Sequence, residues 1–286
     1  MNEAVTELTR ELTTEEQQVL EKVLARFGNR SVDELASLVV KREITYDDYI
    51  QTETLLSLQG TLTDYHDELI FKIYHQQTEL WFRLALHEMQ RAIASLVKDQ
   101  PAFDTAMDAV TRINRYFDIV TTSFSVLLDG MSSAEFLEFR KAFGTSSGFQ
   151  SSQFRAIEIL AGLEREAKKT SGGHEARPAA EVKGVQRSAE EQATFYWERA
   201  ARHLTTDEPT LTLTLFKEKH LKHLNELYRN RKPYSLRIAF DSVLRARQGD
   251  TPDVYSKLAG DNDLSALAQK LLELDQAIVG WKMHHL

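Results

Sequence analysis

The chain has 286 residues, 42% of them hydrophobic and 27% charged, with a formal net charge of −8. Those proportions are ordinary for a globular protein, and the acidic balance gives no electrostatic support to a nucleic-acid or anionic-membrane partner. Cysteine is absent, which excludes disulfides, thiolate metal ligation and a cysteine nucleophile.

The opening "MNEAVTELTRELTTEEQQ" is too polar for a signal peptide, and no apolar run reaches membrane-spanning length, so the expected location is cytoplasmic. Thr13 and Glu16 have capping-box spacing ahead of a helix that should end near Gly28, and Ser31 with Glu34 repeats the signal. "TYDDYIQTETLLSLQG" reads as a third helix closed by Gly60. A long helix follows over roughly 64–98, stopped by Pro101; further helices are expected at 102–129, 133–143 and 151–168, separated by "DGMSS" and "GTSSGFQSS". The stretch at 168–184, "KKTSGGHEARPAAEVKG", has little to bury and is expected to be a mobile loop. Helical patterns resume near 189–203, 213–229, 235–248 and 263–285. "TLTLTLF" at 210–216 alternates like a strand but has nothing to pair with, so it is expected to be a loop entering a helix. The expected fold is all-α, with N-terminal helices in 1–40 and one helical domain over 41–286, interrupted by a flexible insertion near 168–188.

In the long helix, "DELIFKIYHQQTELWFRLALHEMQ", Leu69, Ile73, Leu80 and Leu84 mark one side and Phe71, Phe82 and Met89 another. Apolar residues on more than one face predict a helix inside a bundle. His75 falls on the Phe71/Phe82 side. A buried imidazole needs hydrogen-bond partners and stays neutral. It is therefore either a core histidine held by a backbone carbonyl or a pocket histidine that meets a ligand. "LHEMQR" lacks the second histidine of the zinc-hydrolase pattern H-E-x-x-H. His220, His223 and Glu226 share helical spacing that would suit a metal, but the lysines around them favour a solvated face.

Phe136, Arg140 and Phe143 fall on one helical face. A guanidinium on an aromatic stripe either snorkels outward, pairs with an internal carboxylate, or receives the carboxylate of a ligand. The following "GTSSGFQ" has glycines and small hydroxyls that allow close backbone approach. At the other end of the chain, Leu271, Leu274, Ile278, Trp281 and His285 recur at three-then-four spacing. His285 continues that seam, and His284 is rotated about 100° from it. An inward His285 suits axial ligation of a haem iron, and the alternative is a frayed terminal residue.

Taken together, four stretches resemble the tryptophan 2,3-dioxygenase family of all-α haem oxygenases: "YDDYIQTETLLSLQ", "HDELIFKIYHQQTELWFR", "EFLEFRKAFGTSSGFQSSQFR" and the closing "WKMHHL". The resemblance runs from about Ile44 through Leu160 and resumes in the last helix. It implies a helical bundle enclosing haem b, with His285 as the proximal iron ligand and His75 as the distal histidine that accepts from an indole N–H. Arg140 would bind the substrate carboxylate. Phe71, Phe136 and Phe143 would wall the pocket, Ser146, Ser147 and Gly148 would lie near the haem edge, and Trp81 would contact the cofactor. Tyr46 and Tyr49 would reach a neighbouring subunit's pocket, implying a homotetramer with composite sites. The implied reaction opens the indole ring of L-tryptophan at C2=C3 with O₂, giving N-formylkynurenine. A one-oxygen relative forming a 2-oxindole from tryptophan or a methylated tryptophan, and a haem-binding helical protein without turnover, are the alternatives. The family's T-G-G-S loop, which follows the proximal histidine and closes over the substrate, is not found after His285, and Thr78 stands where the family often has tyrosine.

Overall fold

The structure is a computed structural model that describes residues 13–15, 18, 45–144, 146, 148–162, 206, 208–230, 235–248, 258 and 260–284, with the backbone alone at 149 and 248. The helices expected within 1–40 therefore lie outside the described residues apart from 13–15 and 18. So do the insertion near 168–188, the helix at 189–203, Ser147 and His285. The chain divides into two compact units, Met1–Gly60 and Thr61–Leu286.

In the first unit, the helix expected from "TYDDYIQTETLLSLQG" is broken into α1 (Tyr46–Ile50) and α2 (Thr52–Ser57). Thr45 caps α1 by accepting the Asp48 N–H through its hydroxyl at 3.2 Å. The break falls at Gln51, whose backbone is left-handed with φ of 56°. No glycine or proline announces it in the sequence. The Thr52 hydroxyl donates to the Asp47 carboxylate at 2.9 Å and stitches the two short helices together.

The second unit is built on α3 (Asp67–Leu96) and α4 (Phe103–Ser123), joined by residues 97–102 with Pro101 in the link. A connection that short sets the two helices antiparallel. Phe82, Ala85, Met89, Ala92 and Leu96 on α3 face Ala106, Val110, Ile113, Phe117 and Val120 on α4, all of them buried. The alanines let the two backbones approach, and the aromatics supply most of the apolar area removed from water. Against this pair lies the last helix, α10 (Asn262–His284), through the buried seam of Leu264, Leu267, Leu274, Ile278 and Trp281. Trp281 meets Phe82 edge-on at 5.0 Å between centroids and Phe154 at 4.5 Å. Truncating an aromatic buried in this way costs about 3–5 kcal/mol.

Between α4 and α10 the described helices are α5 (Ser125–Leu128), α6 (Ser133–Phe139), α7 (Ser152–Ala161), α8 (Leu211–Arg229) and α9 (Leu236–Gln248). The helix expected over 102–129 is interrupted at Phe124. The helix expected over 133–143 tightens into a 3-10 turn at Arg140–Phe143. "TLTLTLF" is helical from Leu211 onward, because the Thr210 hydroxyl accepts the Leu213 N–H and Leu213 and Phe216 point into the core. Only Thr210 of that segment stays outside the helix.

α3 also departs from the all-round burial its composition suggests. Leu69, Ile73, Leu80 and Leu84 are between 40% and 56% exposed, forming an uncovered apolar stripe along one chain. Every helix described is too short or too polar to cross a membrane.

Candidate active site

A cavity of about 460 Å³ opens beside the N-terminal half of α3, within the range of about 300–1,000 Å³ typical of small-molecule sites. Phe71 and His75 reach it from α3, Phe136 from α6, and Arg140 from the turn that follows. Ser146 and Gly148 line it from the next loop, and His284 from the end of α10. The remaining wall, Phe124, Leu127, Leu128 and Met131–Ser133, comes from the broken segment after α4. That wall is pinned to α3: the Ser132 N–H donates to the Asp67 carboxylate at 2.6 Å, and the Asp67 N–H donates to the Glu135 carboxylate at 3.2 Å.

The two readings of His75 are combined in the structure. Its Nδ1 lies 2.7 Å from the Phe71 carbonyl, which can only accept, so the ring proton sits on Nδ1. That leaves Nε2 with a lone pair in the cavity. Burial holds the His75 pKa below the ordinary histidine value, against the opposing pull of the Phe71 carbonyl and the Glu79 carboxylate. His75 is therefore a neutral acceptor. Its ring rests on Phe71 at 4.1 Å between centroids, and Phe71 in turn stacks on Phe143 at 5.5 Å and meets Phe136 at 5.9 Å. The helical spacing of these phenylalanines becomes one aromatic cluster around the imidazole.

Arg140 neither snorkels free nor pairs with an internal carboxylate among the described residues. Its Nη1 donates to the Gly144 carbonyl at 2.9 Å and its Nη2 to the Ser146 carbonyl at 2.8 Å. Gly144 has φ of 55° and ψ of −122°, a backbone region open in practice to glycine alone. The carbonyls orient the fork but bring no formal negative charge, and no carboxylate among the described residues pairs with the cation at the cavity wall. A carboxylate is the anion its geometry suits.

The chain's C-terminal helix brings His284 to the cavity, which the seam argument had rotated away from the core. Its Nδ1 lies 2.7 Å from the Gly280 carbonyl, so its Nε2 also carries the lone pair. The ring meets Phe124 edge-on at 6.4 Å. α10 is held beside α7 by Lys282, whose Nζ is 3.6 Å from the Glu158 carboxylate, itself 2.6 Å from Arg155. Burial raises the Glu158 pKa while Arg155 and Lys282 lower it. α7 is tied back to α3 by the Gln153 amide, 2.8 Å from both the carbonyl and the carboxylate of Glu79. Much of the "SGFQSSQFR" stretch thus holds helices together instead of lining the cavity.

Of the residues singled out in the sequence, Phe71, His75, Phe136, Arg140, Ser146 and Gly148 line one cavity, with Phe143 stacked behind Phe71. Trp81 does not join them: it stacks on Tyr116 at 5.6 Å against the core. Tyr46 and Tyr49 lie in the other compact unit and are largely exposed. His220 rests on the Phe216 ring, and no group of three metal-binding side chains occurs among the described residues. The wall from Phe124 to Ser133 was missed, since "DGMSS" reads as a mere separator. Its one sequence signal is Ser132, which caps α6 by accepting the Glu135 N–H.

The cavity's donor set suits a haem. Its walls are aromatic, it contains a fixed cation, and two histidines anchor Nδ1 on a carbonyl and leave Nε2 open. An imidazole that ligates a metal usually donates its other ring N–H to a carbonyl or carboxylate in this way. Composition had already removed thiolate ligation.

The family model for tryptophan 2,3-dioxygenase matches residues 30–232, which takes in the first three motif stretches and ends before the closing "WKMHHL". The tryptophan 2,3-dioxygenase of Ruegeria pomeroyi is 32% identical over 250 residues, which is 87% of this chain and 81% of the relative. That of Bacillus cereus is 30% identical over 249 residues, covering 86% and 79%. A third, from Exiguobacterium sibiricum, is 39% identical over 134 residues, or 47% of each chain. With these matches and this helical architecture, the chain belongs to the tryptophan 2,3-dioxygenase family.

Proposed function

We propose that this protein is a haem-dependent dioxygenase that opens the indole ring of L-tryptophan between C2 and C3, adding both atoms of O₂ to give N-formylkynurenine. The observation that carries the reading is one cavity holding a neutral acceptor, His75 Nε2, and a cation with no carboxylate partner among the described residues, Arg140. An indole amino acid has the complementary groups, a ring N–H and a carboxylate. Haem b supplies the binding and activation of O₂ when it is bound. His285 would hold its iron, by the W-x-x-x-H spacing from Trp281. His284 is the second candidate, because it lines the cavity.

The chain's own residues do the positioning. His75 Nε2 accepts the indole N–H, which fixes the ring edge and keeps the nitrogen lone pair conjugated with C2=C3. Arg140 takes the carboxylate on the N–H groups that Gly144 and Ser146 leave over. Phe71 and Phe136, in contact with each other at 5.9 Å, wall the ring on one side and exclude water, and Phe143 supports Phe71. Ser146 lines the cavity, and the family resemblance would set Ser147 near the haem edge. Orientation of this kind is worth several kcal/mol of barrier. Tyr46 and Tyr49 serve the pocket of a neighbouring subunit, and the assembly is a homotetramer. The uncovered stripe of Leu69, Ile73, Leu80 and Leu84 supports association of copies.

Arg140→Leu provides the test. In haem-loaded protein, affinity for L-tryptophan, read from perturbation of the haem absorption band, should fall about ten- to a hundredfold, the worth of a charge-assisted hydrogen bond. Tryptamine, which lacks the carboxylate, should bind both forms alike. Equal loss for both ligands would remove Arg140 from the carboxylate role.

A further inference from the structure

Gly148 opens the 3-10 turn Gly148–Gln150 and lines the cavity. Three properties set it apart from a glycine kept for its backbone. Its φ is not in the left-handed region, unlike Gly144 and Gly162, so an L side chain is tolerated there. Its carbonyl is engaged in an ordinary turn, accepting the Ser151 N–H at 3.0 Å. Among the described residues, a Cβ added to it would find one group within 4 Å: the His75 ring, with Nε2 at 3.9 Å and Cδ2 at 4.0 Å. Neither the chain's conformation nor its packing asks for glycine. The missing side chain leaves space beside the lone-pair edge of one histidine.

We propose that Gly148 is a specificity-determining position whose bare Cα keeps His75 Nε2 open to a donor N–H on the ring of the bound molecule. This rests on the proposed role of His75 as the acceptor for the indole nitrogen. A donor nitrogen must come to about 2.9 Å from Nε2 to form the bond. A ring bearing that nitrogen occupies the space beside the imidazole edge, and a methyl group 3.9 Å from Nε2 takes up part of it. The methyl fits against His75 at van der Waals distance, so the protein tolerates it while the ring is displaced. Such a shift lengthens the N–H bond without touching the Arg140 grip on the carboxylate. Gly148 thereby selects for flat ring donors and against bulk on that side.

The test compares wild-type, Gly148→Ala, His75→Ala and the double variant, each haem-loaded, with dissociation constants read from the haem absorption band. Two ligands are used: L-tryptophan, and its benzofuran analogue, which has ring oxygen in place of N–H. Gly148→Ala should weaken L-tryptophan about tenfold, the worth of a hydrogen bond lost in a closed site. It should leave the benzofuran analogue within about twofold, which also shows that the variant is folded and loaded. In the His75→Ala background the same change should add nothing further. Equal weakening of both ligands, or the same weakening with and without His75, would overturn the proposal while leaving His75 its role. If His75→Ala itself left L-tryptophan affinity unchanged, the role of His75 would fall and Gly148 with it.

Discussion

At the residue scale, the chemistry turns on where protons and charges are held. The Phe71 carbonyl takes the His75 Nδ1 proton, so the side facing the cavity is always the acceptor when the ring is neutral. Burial lowers the His75 pKa, so the ring stays neutral below the ordinary value of about 6.5. The sign follows: L-tryptophan affinity should be flat from pH 8 down through about pH 6.5 and fall only at lower pH. Titration of the dissociation constant against pH checks this, and a midpoint at or above the ordinary value would contradict it. Stability moves the same way, because the unfolded chain takes up this proton first. The His75 contribution is present above about pH 6.5 and is lost as pH falls toward the depressed folded value. Residue identity made His75 and Arg140 visible as candidates before any coordinates. Their partners were not visible, since a backbone carbonyl such as that of Phe71 or Ser146 leaves no mark in a side-chain pattern.

At the scale of elements, the long helices were legible and the breaks were not. Phe82 and Met89, grouped on one side of α3, and Leu274, Ile278 and Trp281 of the C-terminal seam are buried in packed faces, while His285 of that seam lies outside the described residues. Gln51 interrupts a helical pattern with no breaker, and Arg140 begins a tighter turn inside one. Both are local conformations whose support comes from elsewhere: the Asp47–Thr52 bond in one case, the grip of Arg140 on Gly144 and Ser146 in the other. The broken segment after α4 forms a whole cavity wall and carried almost no periodic signal. α10 poses the sharpest question at this scale, because helical spacing would set His284 and its sequence neighbour His285 about 100° apart, and His284 alone of the two is among the described residues. His285→Ala should abolish the histidine-ligated haem spectrum, and His284→Ala should retain it. The reverse result would move the axial ligand to the residue that lines the cavity.

For the whole molecule, the uncovered stripe on α3 is the clearest departure from the expected bundle. Apolar residues on more than one face suggested a helix inside a bundle, yet Leu69, Ile73, Leu80 and Leu84 are between 40% and 56% exposed. Association of copies would remove that apolar area from water, at roughly 25 cal/mol per Å². If the proposed tetramer forms through this stripe, replacing Ile73 and Leu80 by glutamate should shift the protein to smaller species in light scattering, with helical content intact. An unchanged mass would assign the stripe no part in assembly. The central claim concerns chemistry, and product analysis under labelled oxygen reaches it most directly. Haem-loaded, reduced protein given L-tryptophan and ¹⁸O₂ should form N-formylkynurenine carrying two labelled oxygens. A product with a single labelled oxygen, or no conversion of the amino acid, would contradict the account.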